Sequence, residues 1–185
     1  MKKYLPLGII PPLVILLDQI TKWIIHAKIG MGEKIPVIPG YFEIVHYRNT
    51  GAAFGMFSQW HSEYREWFFY GVTVVALVAL TVLYIKTKAG ERRIQIPLAL
   101  ILGGALGNLI DRIFRGSVID FLRFHWQEQT AHFNVFGKNF DILLVWPSFN
   151  VADMAITCGA LYLAVVLLFF EKKKPQNNLN PNSKA

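Results

Sequence analysis

Three aspartates sit where an apolar chain rarely carries charge. Asp111 and Asp120 fall in the stretch from Gly107 to Phe121, GNLIDRIFRGSVIDF, which begins inside one apolar run and ends just past it. Asp153 closes Phe149-Asn-Val-Ala-Asp153 at the start of the last apolar run. Ionisable groups near lipid are costly, so by default they mark function. Two carboxylates held together cannot both ionise freely. One keeps a proton, and the pair then supplies a base to activate water and an acid to protonate a carbonyl or leaving amine. We expect Asp120 and Asp153 to form such a pair, suited to peptide-bond hydrolysis at a membrane surface. Asn49, Asn108, Arg112 and Asn150 are candidates to orient a substrate or steady the pair. Asp111 reads as structural, because Arg115 follows four residues later on the same helical face. Asp18 and Lys22 share that spacing. Spacing alone leaves two other readings open: a structural ion-pair network in which Asp153 caps a helix, and an ion or proton path.

Other chemistries find less support. The histidines at 26, 46, 61, 125 and 132 lack metal-ligand spacing and fall outside the apolar runs. Ser117 reads as a turn residue rather than a nucleophile. Gly103-Gly104-Ala-Leu-Gly107 sits within a helical run, where it favours close helix packing over phosphate binding. The single cysteine, Cys158, excludes an internal disulfide framework and reads as packing.

The elements that must position these residues follow from composition. The chain has 185 residues, 54% hydrophobic and 17% charged, which is too apolar for an ordinary soluble domain. A net charge of +7 would suit nucleic acid, but the charges cluster beside apolar runs and argue against it. Four runs approach the roughly 20 residues that cross a bilayer: Tyr4–Ile25, Trp67–Ile85, Ile94–Phe114 and Val151–Phe170. The first reads as a retained anchor, kinked at Pro11-Pro12. The second carries no charge and reads as scaffold. Basic residues are dense at 1–3, 86–93 and 171–185 and sparse at 26–66 and 115–150, so both termini are expected to be cytoplasmic. The polar residues of three helices then fall at one depth, in the outer leaflet. The expected fold is an α-helical membrane protein of four transmembrane helices with a small extracytoplasmic β-region. Residues 1–174 are expected to form one membrane-embedded domain, and 175–185, rich in Asn and Pro, a disordered tail.

Strands are expected in the outer connections. Tyr41-Phe-Glu-Ile-Val-His-Tyr47 is β-branched and aromatic, and the small residues of Arg48-Asn-Thr-Gly-Ala-Ala-Phe-Gly55 permit close backbone approach. His132–Phe136 and Phe140–Leu143 read as a hairpin turning at Gly137. It is expected to lie on the outer membrane surface beside Asp120 and Asp153 and to help hold a lipidated substrate.

Asn49-Thr-Gly-Ala-Ala-Phe-Gly55, Gly107-Asn-Leu-Ile-Asp-Arg112, Val118-Ile-Asp-Phe121 and Phe149-Asn-Val-Ala-Asp153 resemble the motifs of the lipoprotein signal peptidases, signal peptidase II, in family order. Asp18-Gln-Ile-Thr-Lys22 fits as well, and the resemblance covers nearly all of the chain except the tail. It implies an intramembrane aspartic endopeptidase of the bacterial cytoplasmic (inner) membrane that works at the outer leaflet. Such enzymes remove the signal peptide from prolipoproteins, cutting just before a diacylglyceryl-modified cysteine. By motif match, Asp120 and Asp153 are the catalytic pair. Asn49, Gly51, Asn108, Arg112 and Asn150 line or shape the site, and Asp18 and Lys22 support it. The implied partners are a lipid-modified prolipoprotein and membrane lipid. No metal, organic cofactor or nucleic acid is implied. Leu122–Ser148 looks longer than is usual in the family. A proton-coupled carrier and a non-enzymatic assembly factor are the alternatives, although a carrier usually shows paired repeats, which are absent here.

Overall fold

The structure, a computed structural model, describes residues 3–51, 62–135 and 137–170. Ala52–Gly55 of the first motif, Phe136 of the hairpin and the expected tail lie outside the described residues. Four helices, α1 (Leu5–Lys28), α2 (Ser62–Lys86), α3 (Arg92–Arg115) and α4 (Val151–Phe169), are long and apolar enough to cross a membrane. Helix α2 begins five residues before the apolar run that signals it, because polar Ser62–Glu66 continue the same helical turns. α1 runs unbroken through Pro11 and Pro12.

Helices α1, α3 and α4 form the core. The buried face of α1, Pro11, Val14, Asp18, Lys22 and Ile25, follows a three-to-four-residue spacing, apolar at one end and charged towards the other. Glycines on α3 let the backbones approach. A Cβ on Gly104 would lie 2.3 Å from the Ala152 carbonyl oxygen, and one on Gly107 would lie 2.9 Å from Asp18 Oδ2. The outward faces of the helices remain apolar and exposed, with Leu16, Trp23, Val75 and Leu161 among them. Lipid is the solvent that such faces require.

The connections build a four-stranded antiparallel sheet in the order β1 (Lys34–Ile38), β2 (Phe42–Asn49), β3 (Val118–Val135), β4 (Lys138–Val145). The expected hairpin is present. Val135 pairs with Lys138, and Gly137 turns the chain with a φ of 80°. Asn49 stands opposite Val118 and Tyr47 opposite Asp120. Asn49 and Asp120 therefore share a face as diagonal neighbours, within side-chain reach.

Candidate active site

β3 delivers Asp120 and the N-terminus of α4 delivers Asp153. Helix α3 ends at Gly116, left-handed with a φ of 69°, and β3 starts two residues later. The strand is pinned on both sides of Asp120. The Ile119 N–H donates to Asp111 Oδ2 at 3.3 Å. Leu122 exchanges backbone hydrogen bonds with Phe149, at 2.9 and 3.0 Å. The second contact sets Asn150, the N-cap of α4, against the strand. Asn150 Oδ1 accepts from the Asp153 N–H at 2.9 Å, and Asp153 Oδ2 accepts from the Asn150 N–H at 3.2 Å. This capping box is a local partner for Asp153, and its Asn-x-x-Asp spacing was visible in the sequence.

Three asparagine amides are turned towards the two carboxylates, each by a group that can only donate. The Gly51 N–H holds Asn49 Oδ1 at 2.8 Å, so Asn49 Nδ2 donates to Asp120 Oδ2 at 3.0 Å. The Asp153 N–H holds Asn150 Oδ1, so Asn150 Nδ2 donates to Asp120 Oδ1 at 2.8 Å. The Lys22 ammonium holds Asn108 Oδ1 at 3.0 Å, so Asn108 Nδ2 donates to Asp153 Oδ1 at 2.7 Å. An ammonium or a backbone N–H offers no acceptor, which fixes each amide's orientation without ambiguity. Asn150 thus bridges the pair, its side chain on Asp120 and its backbone N–H on Asp153. Burial first, and then the charge of Asp153, push the Asp120 carboxyl up to about 7, against the opposing pull of Asn49 and Asn150.

Beneath the pair lies a buried charge cluster. Lys22, fully buried, contacts Asp18 Oδ2 at 2.7 Å and Asp111 Oδ2 at 2.8 Å. Arg115 pairs with Asp111 as its spacing indicated. Two cations thus face two carboxylates, which is the condition under which a buried network holds its charge. Asp18 Oδ1 also accepts the Ala152 N–H in the first turn of α4, at 2.9 Å, where an anion is favoured. The cluster joins α1, α3, α4 and β3 directly under Asp120 and Asp153.

Arg112 lies at the edge, half-buried, over the Phe69 ring and within electrostatic range of both carboxylates. Sequence reasoning made α2 scaffold alone. Its N-terminal half in fact reaches the site: the Tyr70 hydroxyl donates to the Arg112 carbonyl at 2.6 Å. A narrow cleft lined by Asn49, Thr50, Phe69, Tyr70, Arg112 and Gly116 opens there. Gly51 is required for close approach, since a Cβ would lie 2.2 Å from the Phe69 ring. Gln19 was also missed. Its amide donates to Asp18 and Asp111 at 3.2 and 3.1 Å and accepts from Arg115 at 2.9 Å. The only signal for it was its place beside Asp18 in Asp18-Gln-Ile-Thr-Lys22.

The family model described as Signal peptidase (SPase) II matches residues 10–169. The chain belongs to the signal peptidase II family. Lipoprotein signal peptidases of Geobacter metallireducens and Syntrophus aciditrophicus are 37% and 40% identical to it. The alignments cover 92% and 94% of this chain, and 95% and 99% of those proteins. A solved bacterial membrane enzyme, determined by the in meso method at 1.9 Å resolution, superposes with a TM-score of 0.69 at 33% identity, covering 89% of this chain and 94% of that one. A signal peptidase II is a protease, so the chain is a hydrolase. Its four helices make it a multi-pass bacterial membrane protein.

Proposed function

We propose that the protein removes signal peptides from diacylglyceryl-modified prolipoproteins, cutting just before the lipidated cysteine, with Asp120 and Asp153 as the general acid–base pair. Family membership supports signal-peptide removal. The observation that carries the assignment of the pair is the double donation of Asn150, which ties buried Asp120 and half-buried Asp153 into one unit.

In this reading one carboxyl is ionised and the other protonated. The ionised one takes a proton from water as the water oxygen attacks the scissile carbonyl, and the protonated one gives its proton to the carbonyl oxygen. The tetrahedral intermediate collapses as a proton passes to the leaving amine and the C–N bond breaks. The pair titrates as a unit. Asn49, Asn108 and Asn150 hold the carboxyl geometry. Arg112 offers planar donors to substrate carbonyls in the cleft, a role that an ammonium would fill poorly. Asp18 and Lys22 support the site from below, and Gly51 shapes it.

The distribution of basic residues supports a topology with both termini in the cytoplasm and the site at the outer leaflet, on the side of the substrate's lipid. The test is cleavage by purified protein of a synthetic diacylglyceryl-modified peptide and of its unlipidated twin, with products mapped by mass spectrometry. A new N-terminal lipidated cysteine, absent from the twin's digest, is expected. Cleavage elsewhere, or equal cleavage of both peptides, rejects the reading.

A further inference from the structure

The helix ends farthest from Asp120 and Asp153 enclose a second cleft. A Cβ on Gly159 would lie 2.9 Å from the Pro97 carbonyl oxygen, so the later turns of α4 run beside the first turns of α3. α3 starts at Arg92 and α4 ends at Phe169. Between these two ends opens a cleft of about 350 Å³. That volume lies in the range of small-molecule sites, about 300–1,000 Å³. At about 1.5 Å per residue it stands roughly 25 Å along α4 from Asp153.

The walls of this cleft differ in kind. Ile94, Val166 and Phe170 make one part apolar, and Arg92 and Arg93 make the other cationic. The Arg93 guanidinium carbon lies over the Phe170 ring, 5.1 Å from its centre. Cation–π attraction holds the group there. Arg93 makes no ion pair or hydrogen bond among the described residues, so its planar set of donors is open to an acceptor. Glu91, the carboxylate of the lining, is turned back to the Lys88 N–H at 2.6 Å. No acid follows it in the first turn of α3. Two guanidinium groups against one carboxylate leave the cleft net positive. A guanidinium that can fork onto two oxygens suits a phosphate.

We propose that the cleft holds an anionic glycerophospholipid of the surrounding bilayer, its phosphate meeting Arg93 beside Arg92 and an acyl chain lying against Ile94, Val166 and Phe170. The apolar wall argues for a lipid over a free phosphate, which would leave that wall uncovered. Position argues the same way. The apolar run of α4 ends at Phe170, and Glu171-Lys-Lys-Lys174 follow in the sequence, so the cleft stands where the span meets the headgroup layer. Leu167, Leu168 and Phe169 are exposed and continue the lipid-facing surface from there. In the topology proposed above, this end faces the cytoplasm. The net positive charge separates headgroups. An anionic lipid complements it, whereas a choline lipid brings a cation towards the two arginines. The proposal goes beyond peptide cleavage and does not depend on the roles of Asp120 and Asp153.

Delipidated full-length protein in a neutral detergent is titrated with dioleoyl phosphatidylglycerol and phosphatidylcholine, and bound lipid is counted by native mass spectrometry. Phosphatidylglycerol is expected to be retained at least about fivefold more strongly than phosphatidylcholine, and Arg93→Gln is expected to weaken its retention at least about fivefold. Lys88→Gln removes the same charge at the same end but outside the cleft, and is expected to stay within about twofold of the parent. Equal retention of the two lipids overturns the proposal. Equal losses in the two variants would mean general attraction to basic residues and overturn it as well, as would an Arg93→Gln variant that binds like the parent. Displacement of the bound lipid by millimolar glycerol 3-phosphate would reveal a site for phosphate alone, which also contradicts the proposal. If Arg93→Gln does not fold, Phe170→Ser reads the same cleft, because Phe170 is 58% exposed. Unchanged phosphatidylglycerol retention in that variant overturns the proposal too.

Discussion

The side chains of Asn108 and Asn150 are joined, Nδ2 of Asn150 donating to Oδ1 of Asn108 at 3.2 Å. Each then hands an amide to a different acid, Asn108 to Asp153 at 2.7 Å and Asn150 to Asp120 at 2.8 Å. Lys22 fixes the first amide and the cap of α4 fixes the second. The geometry of the two acids therefore rests on an ammonium and a helix terminus that lie outside the pair itself.

Lys22→Met leaves Asp18 and Asp111 without their shared cation in a fully buried place. Removing one partner of a buried pair costs about 3–5 kcal/mol. Thermal unfolding in detergent should show a loss of that size, whereas Trp23→Phe, one residue on and 64% exposed, should stay within about 0.5 kcal/mol of the parent. Equal stability of the Lys22 variant would mean that the cluster holds nothing together.

Asn49→Ala removes one of the two amides that favour ionised Asp120. The carboxyl, already at about 7, then titrates higher. The charge of Asp153 makes Asp120 the member that keeps its proton, and the rate needs one protonated acid, so the alkaline limb of the pH–rate profile moves towards higher pH. A hydrogen bond to a charged group is worth about 1.5–3 kcal/mol, and one pH unit corresponds to about 1.4 kcal/mol, so a shift of about one unit is expected. An unmoved or acid-shifted limb would contradict the role given to Asn49.

Gly51→Ala drives a methyl into the Phe69 ring at a φ of 103°. The Gly51 N–H that orients Asn49 moves with it. Cleavage should fall at least tenfold, with stability reduced by about 1–3 kcal/mol. Gly116→Ala is the comparison, since it is also left-handed but has nothing within 4 Å of the added carbon. Its effect on the rate should be the smaller of the two. A reversed order would remove the Gly51–Phe69 contact from the account.

The four helices were legible because uninterrupted apolar runs of that length have few other uses. The strands were legible from β-branched and aromatic runs ending at glycines such as Gly137. The ion pairs Asp18–Lys22 and Asp111–Arg115 follow from four-residue spacing. What spacing could not supply was anything that crosses between elements. Lys22 serves Asp111 and Asn108 as well as Asp18, and the Asn150 bridge depends on Phe149 pairing with Leu122. Tyr70 and Phe69 were hidden because an aromatic residue at a helix end near lipid reads as an interface anchor whether or not a site lies beside it. The bulge of β3 at Trp126–Gln129, where its pairing with β4 shifts register, was hidden because it is fixed by Gly40 and Tyr41, more than eighty residues away.

The central claim, that Asp120 and Asp153 act as one catalytic unit, is tested most directly by the single-turnover rate on diacylglyceryl-modified peptide. The rate is measured for Asp120→Asn, Asp153→Asn and the double variant, each shown to be folded. Acid–base groups contribute about 10²–10⁴-fold, and residues that act together are not additive. The account predicts that each single variant loses at least about a thousandfold and that the double variant is no slower than either. Either single variant retaining more than about a tenth of the parent rate, or multiplicative losses in the double variant, would contradict it.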